Sequence, residues 1–248
     1  MKNYFAGEHM DKGIETLAAF IRASDNTVVL TGAGMDTDSN IPDFRGEGGW
    51  WKNIDPRTVA NIDTFAQNYS LFQEFYSMRI KLLQNVKPHP GHYILADLEK
   101  RGIIKSIATQ NISGLHRLAG SEKVYELHGN IATVRCNSCG RQADTADFLA
   151  GENCTGCNTG ALRPNVVLFG EALPQDVWAQ ALSHIQRADL LLVIGTSLEV
   201  SPVNQLPFQA KGRTVFINKE DCSQHYSFDL TLLGNAKEVL KKLSDRLT

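Results

Sequence analysis

The chain has 248 residues, 42% of them hydrophobic and 21% charged, and 25 lysines and arginines against 27 aspartates and glutamates leave a formal net charge of -2. Those values describe an ordinary globular protein with ample length for a buried core, and they exclude a disordered chain, a mini-protein and a basic coat for nucleic acid. The longest apolar run, residues 190–194, falls far short of the roughly 20 needed to cross a membrane, and the first residues lack a secretory signal's apolar stretch, so a cytoplasmic location is expected.

Six short aliphatic or β-branched runs follow in chain order, at residues 27–31, 104–109, 124–127, 166–169, 190–194 and 214–217. Each lacks clean alternation and is separated from the next by segments compatible with helix, which predicts buried strands of a parallel sheet in an α/β fold. The residues after the runs are Gly32-Ala33-Gly34, Gln110-Asn111, His128-Gly129-Asn130, Gly170-Glu171, Gly195-Thr196-Ser197 and Asn218. Open α/β sheets bind ligands at the carboxyl ends of their strands, so these groups are expected around one crevice.

Two inserts interrupt the pattern. Residues 46–87 read as a loop and then helix, with Phe65, Tyr69, Phe72, Tyr76 and Leu83 near a 3.6 period, and residues 133–163 carry cysteines. The expected organisation is a Rossmann-like domain from residues 1–45, 88–132 and 164–248. Residues 46–87 (cofactor loop and helices) and 133–163 (zinc insert) then form a smaller module.

The Gly32-Ala33-Gly34 turn fits either a tight bend or a phosphate-approaching loop leading into a helix. Thr37 occupies the place of a dinucleotide fingerprint's third glycine, and no acid closes a strand about 20 residues later, which disfavours a hydride-transferring dehydrogenase. Ile41-Pro42-Asp43-Phe44-Arg45-Gly46 offers an aromatic, an acid and a guanidinium to the crevice mouth. Cys136-x2-Cys139 and Cys154-x2-Cys157, 14 residues apart, have the spacing of a four-cysteine zinc ribbon, a structural site closed to substrate. His128 is the histidine that directly follows a predicted strand and precedes Gly-Asn; it is either a buried core residue or a general base working near neutral pH. His89, His92, His116, His184 and His225 are read as structural.

Taken together these segments resemble the sirtuins, the NAD-dependent protein lysine deacylases. The matching residues are Gly32-Ala33-Gly34-Met35 with Ile41 to Gly46, then Thr109-Gln110-Asn111-Ile112, Leu127-His128-Gly129, both cysteine pairs, and the run from Arg163 to Glu171. Gly195-Thr196-Ser197-Leu198-Glu199-Val200 and Ile217-Asn218 complete the series, in the family's order over about residues 25 to 240. The resemblance implies that Gly32, Ala33, Gly34, Thr37, Asp43, Phe44, Arg45, Gln110, Asn111, Ile112, Ser113, Gly195, Thr196, Ser197 and Asn218 surround NAD. It implies His128 and Asn111 as catalytic residues, Val167 and Phe169 beside an acyl-lysine protein or peptide, and one structural Zn2+ on the four cysteines. The implied reaction has the acyl oxygen attack the ribose carbon bearing nicotinamide, releasing nicotinamide and forming an imidate; His128 takes a ribose hydroxyl proton, that hydroxyl attacks the imidate carbon, and collapse gives free lysine and O-acyl-ADP-ribose. No nucleic acid or membrane partner is implied, and a monomer is expected.

The sequence departs from the family pattern at three positions: Asp36 stands for a usual Ser, Asn40 for a usual Gly, and Ser113 for an Asp linked to the nicotinamide carboxamide. Ser113 keeps protein ADP-ribosyl transfer, NAD hydrolysis and an NAD-sensing role open as alternatives. Phe75-Tyr76-Ser77-Met78-Arg79 resembles the segment of the branch that removes succinyl, malonyl or glutaryl groups, and Ala60 matches that branch by spacing. Positions 76 and 79 share a helix face, so Tyr76 and Arg79 are either an acid-acyl pocket or a core residue and a solvated one.

Overall fold

The computed structural model describes residues 3–41, 55–158 and 160–247. Its centre is a seven-stranded sheet built from β1 (Asn3–Ala6), β2 (Thr27–Thr31), β3 (Ile104–Thr109), β4 (Val124–Glu126), β8 (Leu190–Ile194), β9 (Arg213–Asn218) and β10 (Leu230–Leu233). The order is β1-β10-β9-β8-β2-β3-β4, and every neighbouring pair is parallel. All five residues of β2 and of β8 are buried, as continuous aliphatic runs in a sheet covered on both faces require.

Alternate residues of the central strands β2, β3, β8 and β9 feed two cores. Val29, Ile107, Leu192, Val215 and Leu230 point to one face, where α1 (Met10–Arg22), α5 (Pro90–Lys100) and α9 (Ala236–Leu247) lie. These helices bury apolar stripes at three- and four-residue spacing, Met10, Ile14, Leu17, Ala18 and Ile21 in α1 and Ala236, Val239, Leu240 and Leu243 in α9. Val28, Leu30, Ala108, Leu191, Val193 and Phe216 point the other way, onto α8 (Gln175–Gln186) and the 3-10 turn Val203–Gln209.

The smaller module combines helices α2 (Pro56–Val59), α3 (Ile62–Gln67), α4 (Tyr69–Leu83) and α7 (Thr145–Ala150) with a three-stranded antiparallel sheet in the order β6-β5-β7. That sheet is β5 (Gly129–Cys136), β6 (Gln142–Ala143) and β7 (Leu162–Val166). One core joins the parts: Phe65, Phe72, Phe75 and Tyr76 meet Val134, Cys136, Phe148, Cys154, Leu162 and Leu168. The short helix α6 (Leu115–Leu118) completes the inventory.

Two sequence expectations are corrected. The run at 166–169 is not a strand of the parallel sheet: the strand lies at Leu162–Val166 and pairs antiparallel with β5. The polar Arg163-Pro164-Asn165 stretch hides it because the Arg163 guanidinium is buried against Glu171 at 2.7 and 2.8 Å. Gly32-Ala33-Gly34 leads into two 3-10 turns, Ala33–Met35 and Thr37–Ser39, rather than into a helix.

Candidate active site

The chain runs outward from β2 through β3 to β4, returns to the other side of β2 at β8, and runs outward again through β9 to β10. The strand order therefore reverses between β2 and β8, where a crevice opens beyond the carboxyl ends. The turns after these two strands meet there. Gly32 N–H donates to Ile194 O at 3.1 Å and Gly34 N–H to Gly195 O at 2.7 Å. A Cβ on Gly34 would lie 2.9 Å from Gly195 Cα, and Gly195 has a φ of +62°, so the contact needs glycine on both sides.

The end of β3 is tied into the same junction. Gln110 N–H donates to Thr31 O at 3.0 Å and its side-chain amide to Thr196 Oγ1 at 2.9 Å. Asn111, 8% exposed, gives its amide to Gly32 O at 2.9 Å while its backbone N–H binds Thr109 Oγ1 at 3.0 Å. His128, just past β4, holds Gln110 O at 3.0 Å through Nδ1. A carbonyl oxygen only accepts, so Nδ1 carries the hydrogen and Nε2 keeps a lone pair. Burial pulls the pKa of His128 below its usual value, and the bond to Gln110 O works in the opposite sense. This nitrogen is thus a base already unprotonated at neutral pH.

Thr37 caps the junction by donating Oγ1–H to Gly34 O at 3.0 Å. Ala33, Gly34 and Ser197 are half-buried along it, Asn218 ends β9 with its amide on Glu220 O at 2.9 Å, and Ile112 O accepts from Ile131 N–H at 2.9 Å. Small residues at a switch point, edged by amides, hydroxyls and an imidazole, fit a dinucleotide. Asp43, Phe44 and Arg45 lie outside the described residues.

All three departures from the family pattern have local explanations. Asn40 has a φ of +61°, a left-handed conformation that glycine adopts freely and asparagine tolerates better than most residues. Asp36 and Ser113 bond to each other: Ser113 Oγ–H donates to Asp36 Oδ2 at 2.7 Å, and His92 Nε2 meets Asp36 Oδ1 at 3.1 Å. His89, His92 and His116 pack ring to ring behind this pair, with centroids 4.3 and 4.9 Å apart. Their proximity to Asp36 was invisible in a sequence that separates them by more than 50 positions.

At the small module, the sulfurs of Cys136, Cys139, Cys154 and Cys157 lie within 4.8 Å of one another, with Cys136 to Cys157 and Cys139 to Cys154 at 3.7 Å. Tetrahedral Zn–S bonds of about 2.3 Å set sulfurs about 3.8 Å apart, so the four cysteines fit a closed zinc site. A Cβ at Gly160 would run into the Cys136 sulfur, which reserves that position for glycine.

The segment after β7 spans from module to crevice. Val167 N–H donates to His128 O at 2.9 Å, Phe169 N–H to Ala60 O at 2.8 Å, and Ile62 N–H to Phe169 O at 3.0 Å. Phe169 itself is 39% exposed. Tyr76 is buried in the module's aromatic core, and burial pushes its phenol up to about 12. Arg79 lies 5.4 Å from the Phe75 ring centre; burial lowers its pKa and the nearby Tyr76 opposes that.

The Sir2 family model matches residues 32–202. The chain belongs to the Sir2 family. This sirtuin is 45% identical over 237 residues to the NAD-dependent protein deacetylase 1 of Geobacillus kaustophilus, covering 94% of this chain and 98% of that protein. A solved Sir2 homolog–NAD complex superposes with a TM-score of 0.90 at 34% identity, covering 100% of this chain and 96% of the other. A Sir2–p53 peptide–NAD+ structure gives 0.85 at 34% identity, covering 94% and 97%.

Proposed function

We infer that this sirtuin is an NAD-dependent protein lysine deacylase acting on acylated proteins or peptides. The observation that carries the reading is the junction of β2, β3 and β8, where Asn111, tied to Gly32 O, follows Gln110, whose carbonyl holds a His128 with a bare Nε2. When bound, NAD supplies the electrophile, the ribose carbon bearing nicotinamide, and a hydroxyl that receives the acyl group. The chain binds, orients and excludes water. Asn111 is held at both its amides, so its carbonyl oxygen stays directed as the β3 turn sets it. His128 accepts a hydroxyl proton at Nε2, with Nδ1–H fixed on Gln110 O as the acquired charge is shared.

The acyl-lysine lies beside Val167 and Phe169. The hydrogen bonds from Val167 to His128 and from Phe169 to Ala60 support this, because they run the segment past the base and tie it to the helical module. Tyr76 and Arg79 form the far wall and favour acidic acyl groups. This is supported by their spacing, three residues apart on α4, and by the fit of a guanidinium and a phenol to a carboxylate. With four of the five cysteines gathered where they could hold a metal ion rather than paired in disulfides, the reading places the enzyme in the cytoplasm.

The test is deacylation of acetyl- and succinyl-lysine peptides by the zinc-loaded protein. His128→Ala is expected to lower turnover on both by about 10²–10⁴-fold with NAD binding intact, and unchanged turnover refutes the assignment of the base. Arg79→Met is expected to remove succinyl turnover and spare acetyl; equal loss on both refutes the acid-acyl wall.

A further inference from the structure

Leu198 has a φ of +54°, in the left-handed region that glycine enters freely and leucine enters at a cost. It lies two residues past Thr196, on the loop that leads from β8 to the 3-10 turn Val203–Gln209. Glycine would relieve the backbone there but empty the core, because the Leu198 side chain is 4% exposed and belongs to the cluster that holds Val203, Leu206, Tyr226 and Phe228. A strained residue persists only where its surroundings hold it, and both peptide groups of Leu198 are held. Its N–H donates to Thr196 Oγ1 at 3.1 Å, the oxygen that also accepts the Gln110 side-chain amide at 2.9 Å. Its carbonyl accepts from the Tyr226 hydroxyl at 3.2 Å, and the same hydroxyl reaches Asn204 O at 3.0 Å across the loop.

Tyr226 is itself fixed. Its ring stacks between Phe208 and Phe228, with centroids 4.9 and 5.5 Å away, and Phe228 stacks on Phe216 of β9 at 5.0 Å. Burial raises the pKa of the phenol, so the group stays a donor through the neutral range. The part of a dinucleotide that crosses a switch point between glycine turns is its diphosphate. We propose that Tyr226 is a positioning residue for NAD: its hydroxyl holds Leu198 in the left-handed conformation, and Leu198 in turn holds Thr196 and Ser197 as the turn that receives the diphosphate. A left-handed leucine costs about as much as one ordinary hydrogen bond supplies, so the hydroxyl decides whether the turn is kept. Without it the turn is formed only part of the time, and NAD affinity falls by that fraction. The role concerns NAD binding and holds whichever reaction follows. Tyr226 lies 28 positions from Leu198 and outside the motifs that carry the family resemblance.

Tyr226→Phe keeps the stack and removes only the hydroxyl. In calorimetric titration of the zinc-loaded protein it is expected to weaken NAD and ADP-ribose alike, about fivefold, because both carry the diphosphate. In deacylation it should raise KM for NAD by the same factor and leave kcat unchanged, the signature of binding lost equally from ground and transition states. Phe208→Ala removes a stacking ring that is 56% exposed and keeps the hydroxyl; it should lower the melting temperature and leave NAD affinity unchanged. Unchanged NAD affinity in Tyr226→Phe, a loss for NAD without one for ADP-ribose, or an equal loss in Phe208→Ala would each overturn the proposal. Failure of the unsubstituted protein to deacylate any peptide would instead remove the deacylase reading, a result that leaves the binding comparison to decide the role of Tyr226.

Discussion

His116 makes acid sensitivity a quantitative consequence of the fold. Its Nε2 lies 3.0 Å from Thr31 Oγ1, whose own hydrogen goes to Thr109 Oγ1 at 2.8 Å, so His116 donates to Thr31 and its Nδ1 is bare. That Nδ1 is buried and makes no hydrogen bond. Burial first, then the neighbouring His92, push its pKa down to about 3, against a partial opposite effect of Asp36. The unfolded chain, with histidine near 6.5, binds the proton that the folded chain refuses, so this contribution to stability is complete above 6.5 and declines as pH falls toward 3. Between pH 7 and pH 5 the loss is about 2 kcal/mol, or about 4–8 °C in melting temperature for a chain of this size. His89, also lowered by burial, adds in the same direction. The assay is thermal unfolding at pH 7 and pH 5, with zinc present, of the unsubstituted protein and of His116→Gln, which keeps an N–H for Thr31. The variant should lose about 4–8 °C less than its parent between the two pH values. Equal losses would refute the reasoning.

Other expectations follow from the same geometry. His128→Ala should lower deacylation by about 10²–10⁴-fold, and in the unsubstituted enzyme kcat/KM should be flat above neutrality and fall on the acid side with an inflection below 6.5; an inflection above 7 would contradict the buried base. Removing zinc with a chelator should release one equivalent of metal per chain and expose the module core to protease, because Cys136 and Cys154 are part of that core; unchanged proteolysis after metal loss would contradict it. Glu171→Ala strands the fully buried Arg163, whose bidentate partner it is, and should cost about 3–5 kcal/mol in denaturant unfolding. A loss under 1 kcal/mol would show that the pair is worth no more than a surface bridge, about 0–1 kcal/mol.

The sequence made the centre of the sheet legible because burial on both faces leaves no alternation to misread. The runs at 27–31, 104–109 and 190–194 are β2, β3 and β8 residue for residue. The edges were not legible. β1 and β10 have four residues each, too few for a periodic signal. β7 is disguised by an arginine whose burial depends on Glu171, eight positions away. At the site, single residues were readable where a strand end placed them, as with Gln110, Asn111 and His128. Relations were not: the Ser113–Asp36 bond closes over 77 positions and the Thr31–His116 bond over 85, and no local pattern records either.

The central claim is that one acyl group leaves lysine for each NAD cleaved. Mass spectrometry of an acyl-lysine peptide incubated with the zinc-loaded enzyme and NAD tests it most directly. The account predicts deacylated peptide, nicotinamide and O-acyl-ADP-ribose in equal amounts, and no change without NAD. Nicotinamide released while the peptide stays acylated would contradict it and make the protein an NAD hydrolase or ADP-ribosyltransferase.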